Sequence, residues 1–218
     1  MPVRLTLRSF KAEASAFARA QSKKLVPDLY AVTDGKAVGT YIEHAFIAHL
    51  RERFSFSGGN SAKGIDIPEL AVDIKVTSIR QPQSSCPFTN ARQKIYGLGY
   101  SLLIFVYDKT DHRRPRAARL NILHTIFVSA AQTGDFQTTT GLRRIIKSQA
   151  NRDDILAFFE ERLLPVDDIE ALRLAKEVLR RPPAVGYLTI SNALQWRLQY
   201  GRAIEKAGRV AGVARLGQ

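Results

Sequence analysis

Apolar and polar residues alternate along residues 64–78, which read Gly-Ile-Asp-Ile-Pro-Glu-Leu-Ala-Val-Asp-Ile-Lys-Val-Thr-Ser. An alternation with a period of two residues is typical of a half-buried β-strand. Pro68 interrupts it, because a proline cannot donate a hydrogen bond to a sheet. We therefore predict a short strand at 64–67, a turn at 68–70 and a returning strand at 71–78.

Other segments carry apolar residues at the spacing of an α-helix. They predict a first helix at about 6–24 and, after a loop at 27–36, a second helix that contains Glu43 and ends near residue 54. A third helix, at 89–98, follows the polar loop that begins at Arg80. The strands at 64–78 would therefore lie between helices.

The middle of the chain is the most apolar part. Residues 100–107 predict a buried strand and 118–129 a further strand, with a basic loop at 112–116 between them. Helices dominate from residue 140, with breaks at Pro165 and at 181–183, because prolines interrupt helices. These elements predict an α/β (α+β) fold, a mixed β-sheet core flanked by helices with a helical C-terminal region.

The length and composition favour one domain, 1–218. Its 218 residues are 45% hydrophobic, which suffices for one core, and they contain no internal repeat. Within the domain, 1–135 would form the α/β core and 136–218 the helical region. In that region we predict two helices, 189–200 and 202–207. They could form a helix-turn-helix, whose second helix enters the major groove, or a plain helical hairpin packed on the core.

Charge and cysteine content narrow the partners and the compartment. The chain has 33 Lys plus Arg against 20 Asp plus Glu, a formal net charge of +13, which suits a polyanionic partner. The lone Cys86 excludes an internal disulfide framework and suits a reducing compartment. No signal-peptide core and no 18-residue apolar run occur. We expect a cytoplasmic protein without a membrane partner.

The segment at 64–78 also carries the candidate chemistry. Asp73 and Lys75 are two residues apart on one strand and therefore share a face, and pairing of the two strands can bring Asp66 alongside them. Two carboxylates can bind one or two Mg²⁺ ions together with phosphate oxygens. A nearby lysine can orient water or neutralise the transition state. This grouping suits hydrolysis of a phosphodiester.

Plainer interpretations stand beside this one. Asp73 and Lys75 could be a solvated cross-strand ion pair, and Asp34-Gly35-Lys36 repeats the same spacing in a glycine turn. Glu43 could be an ordinary surface acid of its helix or a third carboxylate for the metal. Against the plain ion pair, the charges interrupt runs of Ile and Val, where buried charge is costly unless it is paired or bound to metal.

These residues resemble the PD-(D/E)xK nuclease superfamily, to which most type II restriction endonucleases belong, and in particular the subgroup around the mismatch-repair nicking enzyme MutH. That subgroup has a Lys-x-x-x-Gly-x-x-x-Glu-like helix, an acidic residue in a short Pro-Glu-Leu-type hairpin and an acid-x-Lys strand that ends in Thr. Gly39 and Glu43 match the helix, Asp66 matches the hairpin, and 73–77 match the strand. The likeness covers about residues 36–108.

The sequence departs from the subgroup's pattern at two positions. Lys36 lies one residue nearer to Gly39, which weakens any role for that lysine, and Asp73 stands where the subgroup often has Glu. Either carboxylate binds Mg²⁺, so the second change matters little. The resemblance implies Asp66 and Asp73 as metal ligands, Lys75 as the catalytic lysine and Glu43 as an auxiliary acid that also reaches the metal.

The resemblance also implies a function and partners. It implies a Mg²⁺-dependent type II restriction endonuclease that cuts double-stranded DNA at a short specific sequence, acts as one subunit or as a homodimer, and has a cognate DNA methyltransferase. The alternatives are a strand-nicking repair endonuclease and a non-enzymatic helix-turn-helix regulator. Candidate DNA-contacting residues come from the loop at 80–85, the helix at 89–98 and the C-terminal helices; they are Arg80, Gln81, Gln83, Lys94, Arg197 and Arg202.

Overall fold

A computed structural model describes residues 3–57, 64–190 and 197–217 of the chain. The strands are β1 (Val3–Arg4), β2 (Leu25–Val26), β3 (Phe54–Ser55), β4 (Val72–Ser78), β5 (Gln83–Ser85), β6 (Ser101–Arg113), β7 (Arg116–Val128), β8 (Thr189–Ile190), β9 (Arg197–Gln199) and β10 (Val213–Arg215). The helices are α1 (Leu7–Gln21), α2 (Gly35–Arg51), α3 (Ala91–Tyr96), α4 (Phe136–Lys147), α5 (Arg152–Glu161), α6 (Asp168–Arg180) and α7 (Gly201–Lys206).

A five-stranded mixed sheet forms the centre of the fold. Its strands follow the order β10-β7-β6-β4, and β2 pairs with a further part of β7. β4 runs parallel to β6, whereas β6 and β7 form a long antiparallel hairpin. β4 is therefore the strand at one edge of the sheet. The prediction of a mixed sheet flanked by helices is confirmed.

The prediction of a basic loop at 112–116 is wrong, because most of these residues belong to strands. Pairing continues to Arg113 and Arg116, so the turn of the hairpin is only Arg114 and Pro115. Polar residues can continue an antiparallel pair, because its backbone hydrogen bonds do not require both faces to be buried. β6 therefore extends beyond the end of β4, which stops at Ser78 opposite Tyr107.

The alternating side chains of β6 enter two separate cores. Leu103 and Phe105 pack with α1 and α2 on one face of the sheet. Leu102 and Ile104 pack on the other face, where Leu198 and Tyr200 cover them. A third core joins α3 with α4, α5 and α6. Both faces of the sheet are thus covered, as the uninterrupted apolar run of β6 requires.

The two predicted N-terminal helices are confirmed, although α1 is shorter than predicted and α2 both begins and ends earlier. The side chain of Thr6 accepts a hydrogen bond from the backbone N–H of Ser9 and caps α1. Asp34 caps α2 by accepting from the backbone N–H groups of Lys36, at 2.9 Å, and Ala37, at 3.3 Å. The Asp34-Gly35-Lys36 triplet is therefore a helix start, and its carboxylate is used to hold the helix.

The predicted helix at 189–200 is wrong in its described parts, which are β8 and β9; residues 191–196 lie outside the described ranges. Ile190, Leu198 and Tyr200 are buried while Arg197 and Gln199 are exposed, which is the two-residue period of a strand. β8 and β9 form a three-stranded sheet with β5. Since a strand precedes α7, the described residues do not form the proposed helix-turn-helix.

The helical region predicted for the end of the chain contains α4, α5, α6 and α7, and α7 confirms the predicted helix at 202–207. After α6, β9 pairs with β5, and β10 returns to the central sheet beside β7. The end of the chain therefore contributes to the same sheets as its first half. Within the described ranges, no helix has both the length and the apolar character needed to cross a membrane.

Candidate active site

The edge strand β4 presents its charged residues on one face and its apolar residues on the other. Val72 and Ile74 are buried in the core that contains α1 and α2. Asp73 and Lys75 face the opposite way, in register with Leu102 and Ile104 of β6. The shared face of Asp73 and Lys75, predicted from their spacing, is thus present in the structure.

Asp66 reaches β4 through a tight hairpin. Ile67 and Val72 form a single antiparallel bridge, with N–H donors 3.0 and 3.2 Å from the paired carbonyl oxygens. A one-turn helix at Pro68–Leu70 and a left-handed Ala71, φ 48°, reverse the chain between them. The hairpin is as predicted, although the first strand, 64–67, is reduced to this one bridge.

The carboxylate of Asp66 is bound directly to β4. Its Oδ2 accepts a hydrogen bond from the backbone N–H of Ile74 at 2.7 Å. Among the described residues no strand pairs with β4 on that side, so the carboxylate satisfies an N–H group that a further strand would otherwise bind. The Asp66 carboxylate therefore binds the open edge of β4 at Ile74, the residue between Asp73 and Lys75.

Asp73 and Lys75 form a partly buried ion pair. The Lys75 Nζ lies 2.7 Å from Asp73 Oδ2, and the side chains are 25% and 3% exposed. At this distance the Lys75 ammonium can donate to the buried Oδ2. A carboxylate oxygen has more than one lone pair, so Oδ2 keeps the capacity to accept a further ligand.

The electrostatics of Asp73 are dominated by its burial. Burial raises the pKa of Asp73 from 3.8 to about 7, because the interior disfavours the charged form. The positive charge of Lys75 lowers the pKa, whereas the hydrogen bond and charge of the neighbouring Asp66 raise it. The Asp66 carboxyl group is therefore close enough to influence the ionisation of Asp73.

Glu43 approaches the same place from α2. Burial raises its pKa, as does the negative charge of Asp66, whereas the positive charge of Lys75 lowers it. In residues 3–57, 64–190 and 197–217, however, no three His, Cys, Asp or Glu side chains converge closely enough to enclose a metal ion. The structure thus brings Asp66, Asp73 and Lys75 into contact and leaves Glu43 beside them.

A groove of about 860 Å³ continues from the end of β4. Val76, Thr77 and Ser78 of β4 form part of its wall, opposite the first turn of α2. Four of the predicted DNA-contacting residues line this one groove; they are Arg80, Gln81, Gln83 and Arg197. Residues that are far apart in the sequence therefore share one surface next to the candidate active site.

The loop that carries the two glutamines is fixed to β4. The buried hydroxyl of Thr77 donates toward the carbonyl oxygens of Gln81 and Gln83, each at 3.2 Å. Gln83 also pairs with Gln199 of β9, and the neighbouring Ser84 hydroxyl is hydrogen-bonded to Tyr200 Oη at 2.6 Å. These contacts hold the loop at 80–85 beside β4.

Two predicted DNA contacts do not fit the structure. Lys94 is only 8% exposed, because α3 turns this residue toward the interior. The Arg202 guanidinium lies 3.6 Å from the centre of the Phe136 ring, and its Nε is buried. Neither side chain lines the groove, so we withdraw Lys94 and Arg202 as DNA contacts.

Two charged lining residues of the groove, Lys109 and Asp111, were not among the residues predicted to contact DNA, and Lys36, for which the sequence weakened any role, lines the groove as well. Lys109 and Asp111 share a face of β6 with Tyr107, at the two-residue spacing of a strand. This alternation could have shown from the sequence that the two residues share a face. It was missed because the predicted strand ended at residue 107.

The comparisons with known proteins show a family of restriction enzymes. The chain matches the family model described as "Type II restriction enzyme NspV" over residues 4–215. It is 62% identical over 209 residues to the type II restriction enzyme NspV of Nostoc sp. (strain ATCC 29411 / PCC 7524), which covers 96% of this chain and 95% of the relative. No solved structure matches. Membership of the PD-(D/E)xK superfamily and likeness to the MutH-like subgroup stay predictions.

Proposed function

The chain belongs to the NspV family of type II restriction enzymes, and on that premise we propose that it cuts both strands of double-stranded DNA at a short specific sequence with Mg²⁺ as cofactor. It is a site-specific deoxyribonuclease. The observation that carries the proposal for its active site is the contact of Asp66, Asp73 and Lys75 at the edge of the sheet. An edge is open to a bulky duplex, whereas an inner strand is not.

The residues present fit Mg²⁺. Asp66 and Asp73 supply carboxylate oxygens, the ligands that Mg²⁺ prefers, and the two groups are close enough for Asp66 to raise the pKa of Asp73. Two protein carboxylates suit an ion that usually keeps several waters and binds substrate phosphates. When bound, Mg²⁺ would supply Lewis acidity and lower the pKa of a coordinated water.

The neighbouring side chains have separate roles in this proposal. The Lys75 ammonium, which the Asp73 carboxylate holds at 2.7 Å, would neutralise charge that develops on the scissile phosphate. Asp66 keeps its position through the backbone of Ile74 and would act as the second ligand. Glu43 would act as an auxiliary acid, since it lies close enough to Asp66 and Lys75 for their charges to shift its pKa.

The groove supports the binding part of the proposal. Arg80 and Arg197 would contact phosphates, which positions the protein on the duplex. Gln81 and Gln83 carry amide groups that can hydrogen-bond to base edges in a groove of DNA. Thr77 of the catalytic strand anchors the loop that carries both glutamines. Recognition of the DNA sequence by this loop would therefore be coupled to cleavage through β4.

The remaining partners follow from the chemistry of cutting DNA. We propose two subunits at each DNA site, because one chain brings together a single set of Asp66, Asp73 and Lys75, and each strand must be cut. The host's own sites must also be protected, so a DNA methyltransferase of the same specificity would accompany the enzyme. Both would act in the cytoplasm.

A plasmid digestion tests the proposed function. Supercoiled plasmid is incubated with the protein in Mg²⁺ and, in parallel, in EDTA, and the products are separated on a gel. We expect discrete linear fragments in Mg²⁺ only. Accumulation of open circles would instead indicate a nicking enzyme, and a gel shift without cleavage would indicate a protein that only binds DNA.

A further inference from the structure

The groove beside the active site contains carboxylates, although it faces a polyanion in the proposed function. Asp34 and Asp111 are the two acidic residues among its lining. The Asp34 carboxylate is already bound to the first turn of α2, where it accepts two backbone hydrogen bonds. Asp111 makes no such structural contribution to a helix and therefore requires another explanation.

Asp111 is held in place by a rigid strand. It lies where β6 continues past the end of β4, and its backbone pairs with Ala118 of β7. Lys109, on the same face of β6, pairs with Leu120. Neither residue is on a loose loop, so their side chains have defined starting positions in the groove.

Lys109 orients the Asp111 carboxylate. Its Nζ lies 2.5 Å from Asp111 Oδ1. The lysine side chain is 15% exposed and the aspartate side chain 37%, so the carboxylate is the more accessible partner of the pair. The second oxygen, Oδ2, is not engaged by this contact and can accept a hydrogen bond from a ligand.

The chemistry of DNA limits what such a carboxylate can bind. A phosphate would be repelled by it, whereas the exocyclic amino group of a base donates a hydrogen bond in the major groove; for a carboxylate the usual partner is cytosine N4. Arg80 and Arg197 in the same groove can meet the nearby phosphates. We propose that Asp111 is a specificity-determining residue that accepts a hydrogen bond from the exocyclic amino group of one base in the recognition sequence.

This inference rests on the proposed function and adds two roles for the negative charge. At the correct site, the carboxylate gains a hydrogen-bond donor. On other sequences it meets a carbonyl, a methyl group or a phosphate, and the contact is unfavourable. The charge would thus cost affinity for random DNA, which is a common way of gaining specificity.

The test begins with the wild-type enzyme and the recognition sequence read from the ends of its own plasmid fragments. Duplexes are then made in which each base of that sequence that has an exocyclic amino group is replaced by an analogue without it. Binding is measured in Ca²⁺ or EDTA, without cleavage, for the wild type and for Asp111→Asn. The variant keeps the size of the side chain and removes its charge.

We expect one position to respond. Asp111→Ala, measured in the same way, cannot accept the hydrogen bond. Removing the amino group at that position should weaken wild-type binding about tenfold or more and leave Asp111→Ala binding almost unchanged, since one good base contact discriminates by about that factor. Asp111→Asn keeps an amide oxygen that can accept a hydrogen bond, so it isolates the effect of the charge and should bind a duplex without the site more tightly than the wild type does.

The control carries the same change of charge outside the groove. Asp153→Asn alters a 74% exposed residue that pairs with Arg152 on α5, and it should behave as the wild type with every duplex. Thermal unfolding of each variant checks that it is folded. If Asp111→Ala responds to every analogue as the wild type does, the inference is wrong. A wild-type protein that yields no fragments would instead overturn the proposed function.

Discussion

Asp73 occupies a setting that disfavours its own charge. Its side chain is 3% exposed, and burial raises its pKa from 3.8 to about 7. If Asp73 only stabilised the fold, we would expect an uncharged side chain at this position, because buried ionised groups are costly. A divalent cation bound at the site would offset this cost by pairing with the carboxylate. Groups with strongly shifted pKa values are frequent at functional sites.

The raised pKa of Asp73 predicts that its charge lowers the stability of the metal-free fold, although the charge is needed for activity. Because the folded-state pKa lies above the ordinary value, the carboxylate lowers the stability of the metal-free fold increasingly as the pH rises from 3.8, and fully above about pH 7. Asp73→Asn should therefore abolish cleavage and raise the melting temperature in EDTA at pH 8. Each kcal/mol gained would correspond to about 2–4 °C.

The same variant provides its own control through pH. At pH 5 the wild-type carboxyl is mostly protonated in the folded state, so the difference in melting temperature between Asp73→Asn and the wild type should shrink. Lys75 loses its partner in the variant, but its side chain is 25% exposed and can be hydrated. A lower melting temperature than the wild type at pH 8 would contradict the destabilising role of this charge.

The face on which a single side chain lies could be predicted where the local spacing of residues determines it. The common face of Asp73 and Lys75 follows from the period of a strand, and the placement of Asp66 follows from the hairpin at Pro68. Lys94 was mispredicted, since the direction of a residue on a six-residue helix depends on how that helix packs. Asp111 was missed because the length of its strand depends on pairing with β7.

At the scale of elements, the site depends on the close packing of α2 against β4. A Cβ atom built on Gly39 would lie 3.8 Å from Val76 Cβ, an ordinary contact distance. The helix can therefore carry Glu43 toward the edge of the sheet without needing glycine at this crossing. Gly141 of α4 differs, because a Cβ there would lie 2.5 Å from the Phe158 ring.

These two helical glycines predict opposite effects of the same substitution. Gly39→Ala should raise the free energy of unfolding by about 0.5–1 kcal/mol, because alanine loses less backbone entropy in a helix interior. Gly141→Ala should lower it by about 1–3 kcal/mol, because the Phe158 ring must move in a packed core. Urea unfolding of both variants checks this, and a loss of stability in Gly39→Ala would show that the crossing of α2 and β4 is tighter than described.

Elements with a strong local period were predictable, whereas elements made by distant pairing were not. α1, α2, β4 and β6 were located from their apolar patterns, with errors at their ends. β8 and β9 were mistaken for a helix because two- and three-residue strands carry little periodic signal of their own. Their conformation is set by β5, which lies more than a hundred positions earlier in the chain.

At the scale of the whole molecule, the net charge of +13 is unevenly distributed. Arginines and lysines line the groove beside β4, whereas α5 carries four acidic residues, Asp153, Asp154, Glu160 and Glu161, against the single Arg152. The composition could predict a polyanionic partner but could not indicate which face would meet it. That face emerges only when β4, β5 and β9 bring residues 36, 80–85, 109 and 197 together.

The central claim is that Asp66, Asp73 and Lys75 form the site that cuts DNA. The most direct measurement compares cleavage of supercoiled plasmid in Mg²⁺, under single-turnover conditions, by the wild type and by Asp66→Ala, Asp73→Ala and Lys75→Ala, with duplex binding measured in parallel. Lys206→Ala, which removes an equivalent ion-paired lysine from α7, is the matched control. We predict that the three site variants bind the duplex but lose cleavage by at least about a hundredfold, the scale of one lost electrostatic contact in a transition state, while Lys206→Ala cuts as the wild type does. Wild-type cleavage rates in Asp73→Ala or Lys75→Ala would contradict the account.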